Sequence, residues 1–150
     1  MAKARYDGLM PEMAAGQAGR VILRALLTAV LAEAPGVLRN DVEATHDMRV
    51  AIRRLRTAMS TFSGTLPKKV VADQRRATRR IGRRLGSVRD ADVHLAVLRS
   101  ALTGATEAEV PGIAYAIETL GARRRRSLAE FAIEYSQFDG DGLLAMLGDA

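Results

Sequence analysis

Apolar residues recur along this chain at steps of three and four. Between residues 14 and 34, Ala18, Val21, Ile22, Ala25, Leu26, Ala29 and Val30 keep that spacing, which gathers them on one helical face, and Pro35-Gly36 predicts the stop. A second run, capped by Asn40 or Asp41, extends to about Phe62 and is closed by Ser63-Gly64 and Pro67. A third covers residues 68 to 85 and meets Gly86. A shorter helix is then predicted from Asp90 to about Leu102, with Asp90 and Asp92 in a first turn where the helix dipole favours acids. Gly104 and Thr106 introduce a last long helix over residues 107 to 135, and the tail carries Gly140 and Gly142 before a short apolar run. No stretch alternates as a strand would, and no internal repeat is visible. The predicted fold is all-α: an antiparallel up-and-down four-helix bundle, with residues 90 to 102 as an additional short helix. Residues 1 to 12, without period and broken by Gly8 and Pro11, read as a flexible N-terminal arm, and residues 13 to 150 as one domain.

Composition supports this. A chain of 150 residues that is 48% hydrophobic can bury a core, and with 4% aromatics that core must be built from Leu, Ala, Val and Ile. The absence of cysteine excludes a disulfide framework, thiolate zinc ligation and a cysteine nucleophile. No run approaches the roughly 18 consecutive apolar residues of a spanning helix, and the first dozen residues lack a signal-peptide core. The expectation is a soluble, unexported, cytoplasmic protein.

The net charge is +6, from 23 Lys and Arg against 17 Asp and Glu, and 20 of the cations are arginine. A GC-rich genome favours arginine whatever the function, so only placement argues for chemistry. On a wheel of about 100° per residue, Met48, Ile52, Leu55, Met59 and Phe62 fall together as a core stripe, while His46, Arg49, Arg53 and Arg56 fall together opposite them. That polar face has no interleaved carboxylate. Like charges one turn apart repel, so a one-sign stripe has a cost that an anionic partner removes. The next run repeats the plan: Val70, Ala77, Thr78, Ile81 and Leu85 form the buried side, with Arg76, Arg79, Arg80 and Arg83 opposite, flanked by Arg75 and Arg84. Two converging cationic faces would concentrate a polyanion.

The string H-D-M-R-V-A-I-R-R-L-R, followed about thirty residues later by L-G-S-V-R-D-A-D-V, resembles the CHAD family, the conserved histidine α-helical domain. The resemblance covers roughly residues 14 to 147. It implies basic helical faces that bind inorganic polyphosphate, without hydrolysis and without a cofactor, in a fold of two similar four-helix halves. Only the first half is recognisable here. The motif carries over to His46, Arg49, Arg53, Arg54 and Arg56, and its Arg-Asp-x-Asp element to Arg89, Asp90 and Asp92. With Arg76, Arg79, Arg80 and Arg83, these arginines and His46 are the expected polyphosphate-binding residues, and association with polyphosphate granules is what the resemblance adds to the cytoplasmic expectation.

Arginine forks grip successive phosphate oxygens in two places, which suits a flexible polyanion. Nonspecific nucleic-acid binding is the alternative, although none of the six aromatics interleaves the stripe to stack bases. His46 admits three readings: a capping or solvated residue, a hydrogen-bonding partner of a phosphate oxygen, or the phosphoacceptor of a histidine phosphotransfer domain. A metal site is not expected, since His94 lies on another predicted helix. Asp90 and Asp92, two apart, diverge on a helix and read as structural, capping the short helix and pairing with an arginine. The candidate is Arg124, which falls within the apolar stripe of Ile113, Ile117, Leu120, Leu128 and Phe131 and would need a partner there. A half-domain that leaves surface uncovered is further expected to form a homodimer.

Overall fold

The computed structural model describes residues 4–64 and 66–148. Among them are five helices and no strand: α1 (Ala15–Leu38), α2 (Val42–Thr61), α3 (Lys68–Thr103), α4 (Val110–Ser136) and α5 (Gly140–Leu147). Helices α1 to α4 form an antiparallel up-and-down bundle in which each packs on its neighbour in sequence, and α5 folds back onto α1. Residues 4 to 14 form turns, with Leu9 N–H donating to the Tyr6 carbonyl at 3.2 Å, and Ala4 rests against the core. The first three residues of the expected arm lie outside the described residues.

The core is aliphatic. Leu27, Val30, Val37, Met48, Ile52, Leu55, Met59, Ile81 and Leu85 are fully or almost fully buried, joined by Phe131 from α4 and by Leu143 and Leu147 from α5. The predicted α2 stripe lies inward, with Phe62 only half-buried at its end. On α3 the buried residue of the first turn is Val71 rather than Val70. By length and composition α1 is the one described helix that could cross a membrane, contrary to the expectation of no such segment, and its apolar side faces this core.

Two predicted boundaries are overturned. Helix α1 does not stop at Pro35-Gly36 but runs one turn further. Proline removes a donor, not an acceptor: the Pro35 carbonyl accepts from Arg39 N at 3.1 Å, and the Gly36 carbonyl accepts from Asp41 N at 3.0 Å. Gly36 is there for packing. A Cβ on it would stand 2.5 Å from Ala44 Cβ, because α1 and α2 cross at this point. Gly36→Ala should therefore lower stability by about 1–3 kcal/mol in a urea titration, despite alanine's better helix propensity.

The second correction joins residues 68 to 85 and 90 to 102 into one 36-residue helix, α3, with Gly86 in its interior. Gly86 merely lowers helix propensity there, while buried Leu85, Val88, Ala91 and Leu95 continue one apolar face through it. Asp90 and Asp92 consequently cap nothing. The additional short helix is α5, built from the apolar tail, and Arg24 on α1 donates to the Gly148 carbonyl just beyond it. At about 1.5 Å per residue α3 is roughly 54 Å long and α2 roughly 30 Å, so α3 extends well past the start of α2. Helix α4 begins at Val110 rather than near residue 107, after a turn in which the Glu109 carboxylate accepts from Thr106 N at 2.9 Å and from its hydroxyl at 2.7 Å. Those two bonds hold the Glu109 carboxyl below the ordinary carboxylate range.

Candidate functional site

Helix α2 starts at Asp41, whose carboxylate accepts from Glu43 N at 2.8 Å and Ala44 N at 3.2 Å. This cap fixes the first turn, and burial of Met48, Ile52, Leu55 and Met59 fixes the rotation. The arginine stripe must then face away from the core. It does not face open water alone, because α3 crosses beside it at Gly82. A Cβ on Gly82 would stand 3.2 Å from Ile52 Cγ2, a tight approach, so the missing side chain lets α3 pack closely on α2, and the Arg56 guanidinium lies beside it.

The result is a groove between α2 and α3 made of two adjoining cavities. One, of about 260 Å3, is lined by His46, Arg49, Val50, Ile52, Arg53, Arg56 and Gly82. The other, of about 250 Å3, is lined by Arg53, Arg56, Thr57, Ser60, Arg75 and Arg79. Arg53 and Arg56 belong to both. Five arginines and His46 thus share one surface depression with no carboxylate and no aromatic in its lining. Among the described residues none of these arginines forms an ion pair. Such crowding of one sign is unfavourable without an anion, and the forked donors all remain available.

The expected cationic face of α3 is divided. Arg79 joins the groove, together with Arg75, which the sequence placed only as a flank. Arg76 and Arg80 turn the other way, toward the α4–α5 connection, where they line a cavity with Asp73, Gln74, Gln137, Phe138 and Asp139. There they are compensated: Arg76 pairs with Asp73, and Arg80 Nε donates to Glu134 Oε2 at 2.7 Å. Arg84 likewise meets Glu130 at 2.8 Å. Arg83 is exposed, and Arg89 is half-buried further along α3. Arg54 lies on the opposite flank of α2, where it lines a small cavity with Ala4, Leu26, Ala29, Asp47 and Val50.

The acidic pair also separates. Asp92, not Asp90, meets Arg124: Arg124 Nε donates to Asp92 Oδ1 and Nη1 donates to Asn40 Oδ1. Their side chains are 10% and 6% exposed. Asp90 is exposed and takes no part. Asn40 holds φ at 71°, a left-handed conformation that asparagine tolerates, so one polar cluster ties the α1–α2 turn to α3 and α4. The Oδ2 atom of Asp92 is buried and has no partner among the described residues. His94 is exposed on α3, away from the groove lining.

Sequence reasoning missed Thr57, Ser60 and Gly82. Arg75, Arg79 and Gly82 do recur at steps of four and three, which marks them as one face of α3. With the groove described, the comparison with known families is decisive, because residues 21–147 match the CHAD domain. The chain belongs to the CHAD family. CHAD domains are binding domains associated with polyphosphate. The comparisons with curated proteins and with solved structures return no match.

Proposed function

We propose that this CHAD domain binds inorganic polyphosphate, without catalysis, in the groove between α2 and α3. The observation that carries the reading is the concentration of unpaired Arg49, Arg53, Arg56, Arg75 and Arg79 with His46 in a single carboxylate-free depression. Polyphosphate supplies one anionic oxygen set after another along a flexible chain, and each guanidinium can take two oxygens at once. His46 sits at the head of the groove as a further hydrogen-bond donor. The remaining arginines of the motif add to the field: Arg54, Arg83 and Arg89 lie outside the two cavities, and Arg76 and Arg80 are already neutralised by acids.

Width argues against a nucleic-acid duplex. Adjacent packed helices have axes about 8–10 Å apart, so the depression between them admits one strand of phosphates and not two. A single nucleic-acid strand would fit, but no aromatic platform lines the groove for its bases.

The test is competition at physiological salt. Labelled long-chain polyphosphate bound to the protein should be displaced by unlabelled polyphosphate at a concentration at least about tenfold lower, in phosphate, than duplex DNA requires. Equal displacement would reduce the groove to a generic basic surface. An acid-labile phosphohistidine at His46, formed from a phosphodonor, would replace binding by phosphotransfer as the reading.

A further inference from the structure

We infer that the groove takes polyphosphate by its end, with the terminal phosphate seated in the cavity of Arg53, Arg56, Ser60, Arg75 and Arg79. The inference rests on the binding reading above and adds a direction to it.

The two halves of the groove differ. Around His46 the lining mixes Arg49, Arg53 and Arg56 with Val50, Ile52 and Gly82, so part of the wall offers a phosphate nothing. Around Ser60 every lining residue is polar, and four guanidinium groups from two helices surround a space of about 250 Å3. The Thr57 hydroxyl is spent on the Arg53 carbonyl at 3.2 Å. The Ser60 hydroxyl makes no hydrogen bond among the described residues, is exposed, and is free to donate.

This half of the groove also lies near the end of α2. Its walls are α2 and α3, and the connection joining them begins at Phe62, two residues past Ser60.

Charge favours the same polarity. An internal phosphate carries a single negative charge. A terminal one carries about −1.5 to −2 near neutral pH, as a phosphate monoester does, and has three free oxygens to accept from. The most heavily charged group on the ligand thus matches the half of the groove with most guanidiniums and no apolar wall.

The inference is tested by binding linear polyphosphate with free ends and the same polyphosphate with both terminal phosphates blocked as neutral-capped esters. The wild-type protein should bind free-ended chains about 10- to 100-fold more tightly, the loss expected when charge-assisted contacts to one dianion disappear. In the Arg75→Ala/Arg79→Ala variant that preference should shrink to near unity, whereas Arg49→Ala should weaken both ligands by the same factor. Sedimentation should find no more than two protein molecules on each free-ended chain, however long the chain. Equal affinity for free and blocked ends, with Arg49→Ala still weakening both, would overturn end recognition and leave lengthwise binding in the groove. Loading of many molecules along one long chain would overturn it as well. Binding indifferent to Arg49, Arg75 and Arg79 alike would remove the groove reading itself, and the end preference with it.

Discussion

Replacing Arg124 with alanine is expected to remove about 3–5 kcal/mol of stability, a large part of the 5–15 kcal/mol that holds a domain of this size folded. The Asp92 carboxylate, 6% exposed in the intact protein, would be left with no cation, and one of its oxygens already has no partner among the described residues. Asp92→Ala should cost a similar amount by stranding the guanidinium, whose other bond to Asn40 Oδ1 satisfies a donor but not a charge. Thermal melting should fall by about 6–20 °C for either variant. Asp90→Ala is the control: an exposed, unpaired residue should change stability by no more than about 0.5 kcal/mol. Replacing the pair together, Asp92→Leu with Arg124→Met, should recover most of the loss, because a buried ion pair stabilises little over an apolar pair of matching volume. Melting of Arg124→Ala at the wild-type temperature would show that the three-way junction of turn, α3 and α4 contributes nothing to the fold.

The need for an acid beside Arg124 could be read from its place within an apolar stripe, but the choice between Asp90 and Asp92 could not. It depends on α3 being continuous. Once residues 68 to 103 form one helix, Asp92 follows Val88 and Ala91 on the packed side, and Asp90 turns outward. The break at Gly86 was inferred from a local preference worth about 1 kcal/mol, which the burial of Leu85, Val88 and Leu95 outweighs. Pro35-Gly36 failed as a stop signal for a related reason. Both residues weaken a helix in isolation, yet here one only deprives the Leu31 carbonyl of its usual intrahelical donor and the other makes room for Ala44. Where a single face decides the outcome, as for Met48, Ile52, Leu55 and Met59, periodicity was sufficient.

Half of the site was legible for the same reason. Helix α2 has one buried side along its arginine segment, so His46, Arg49, Arg53 and Arg56 could only emerge together. Helix α3 packs on α2 and on α4 at once, which narrows its free surface and splits a face that the wheel showed as single. Arg80 and Arg84 meet Glu134 and Glu130, acids on a helix fifty residues away that no local pattern could bring to them. Arg75 and Arg79 escape such partners because they lie on the α2 side, beside Gly82.

Arg53 is the residue on which the groove depends most, since it and Arg56 line both cavities. Arg53→Ala should weaken polyphosphate binding by about one to two orders of magnitude, the equivalent of losing roughly 1.5–3 kcal/mol of charge-assisted contact. The plot of log affinity against log salt should become shallower by about one unit, the signature of one phosphate contact fewer. The fold should not suffer, because Arg53 is exposed and unpaired, and removing it relieves repulsion from Arg49 and Arg56. Arg53→Lys separates field from grip: lysine restores the charge but not the two-pronged hydrogen bond, so its affinity should fall between wild type and alanine. Arg125→Ala, on the exposed side of α4, removes the same charge from the protein and tests the long-range field alone. If polyphosphate is held in the groove, Arg125→Ala should cost less than about threefold, a shift of the size expected for one screened and distant charge. Equal losses from Arg53→Ala and Arg125→Ala would mean that the arginines act as a diffuse cloud and that the α2–α3 groove holds nothing in particular.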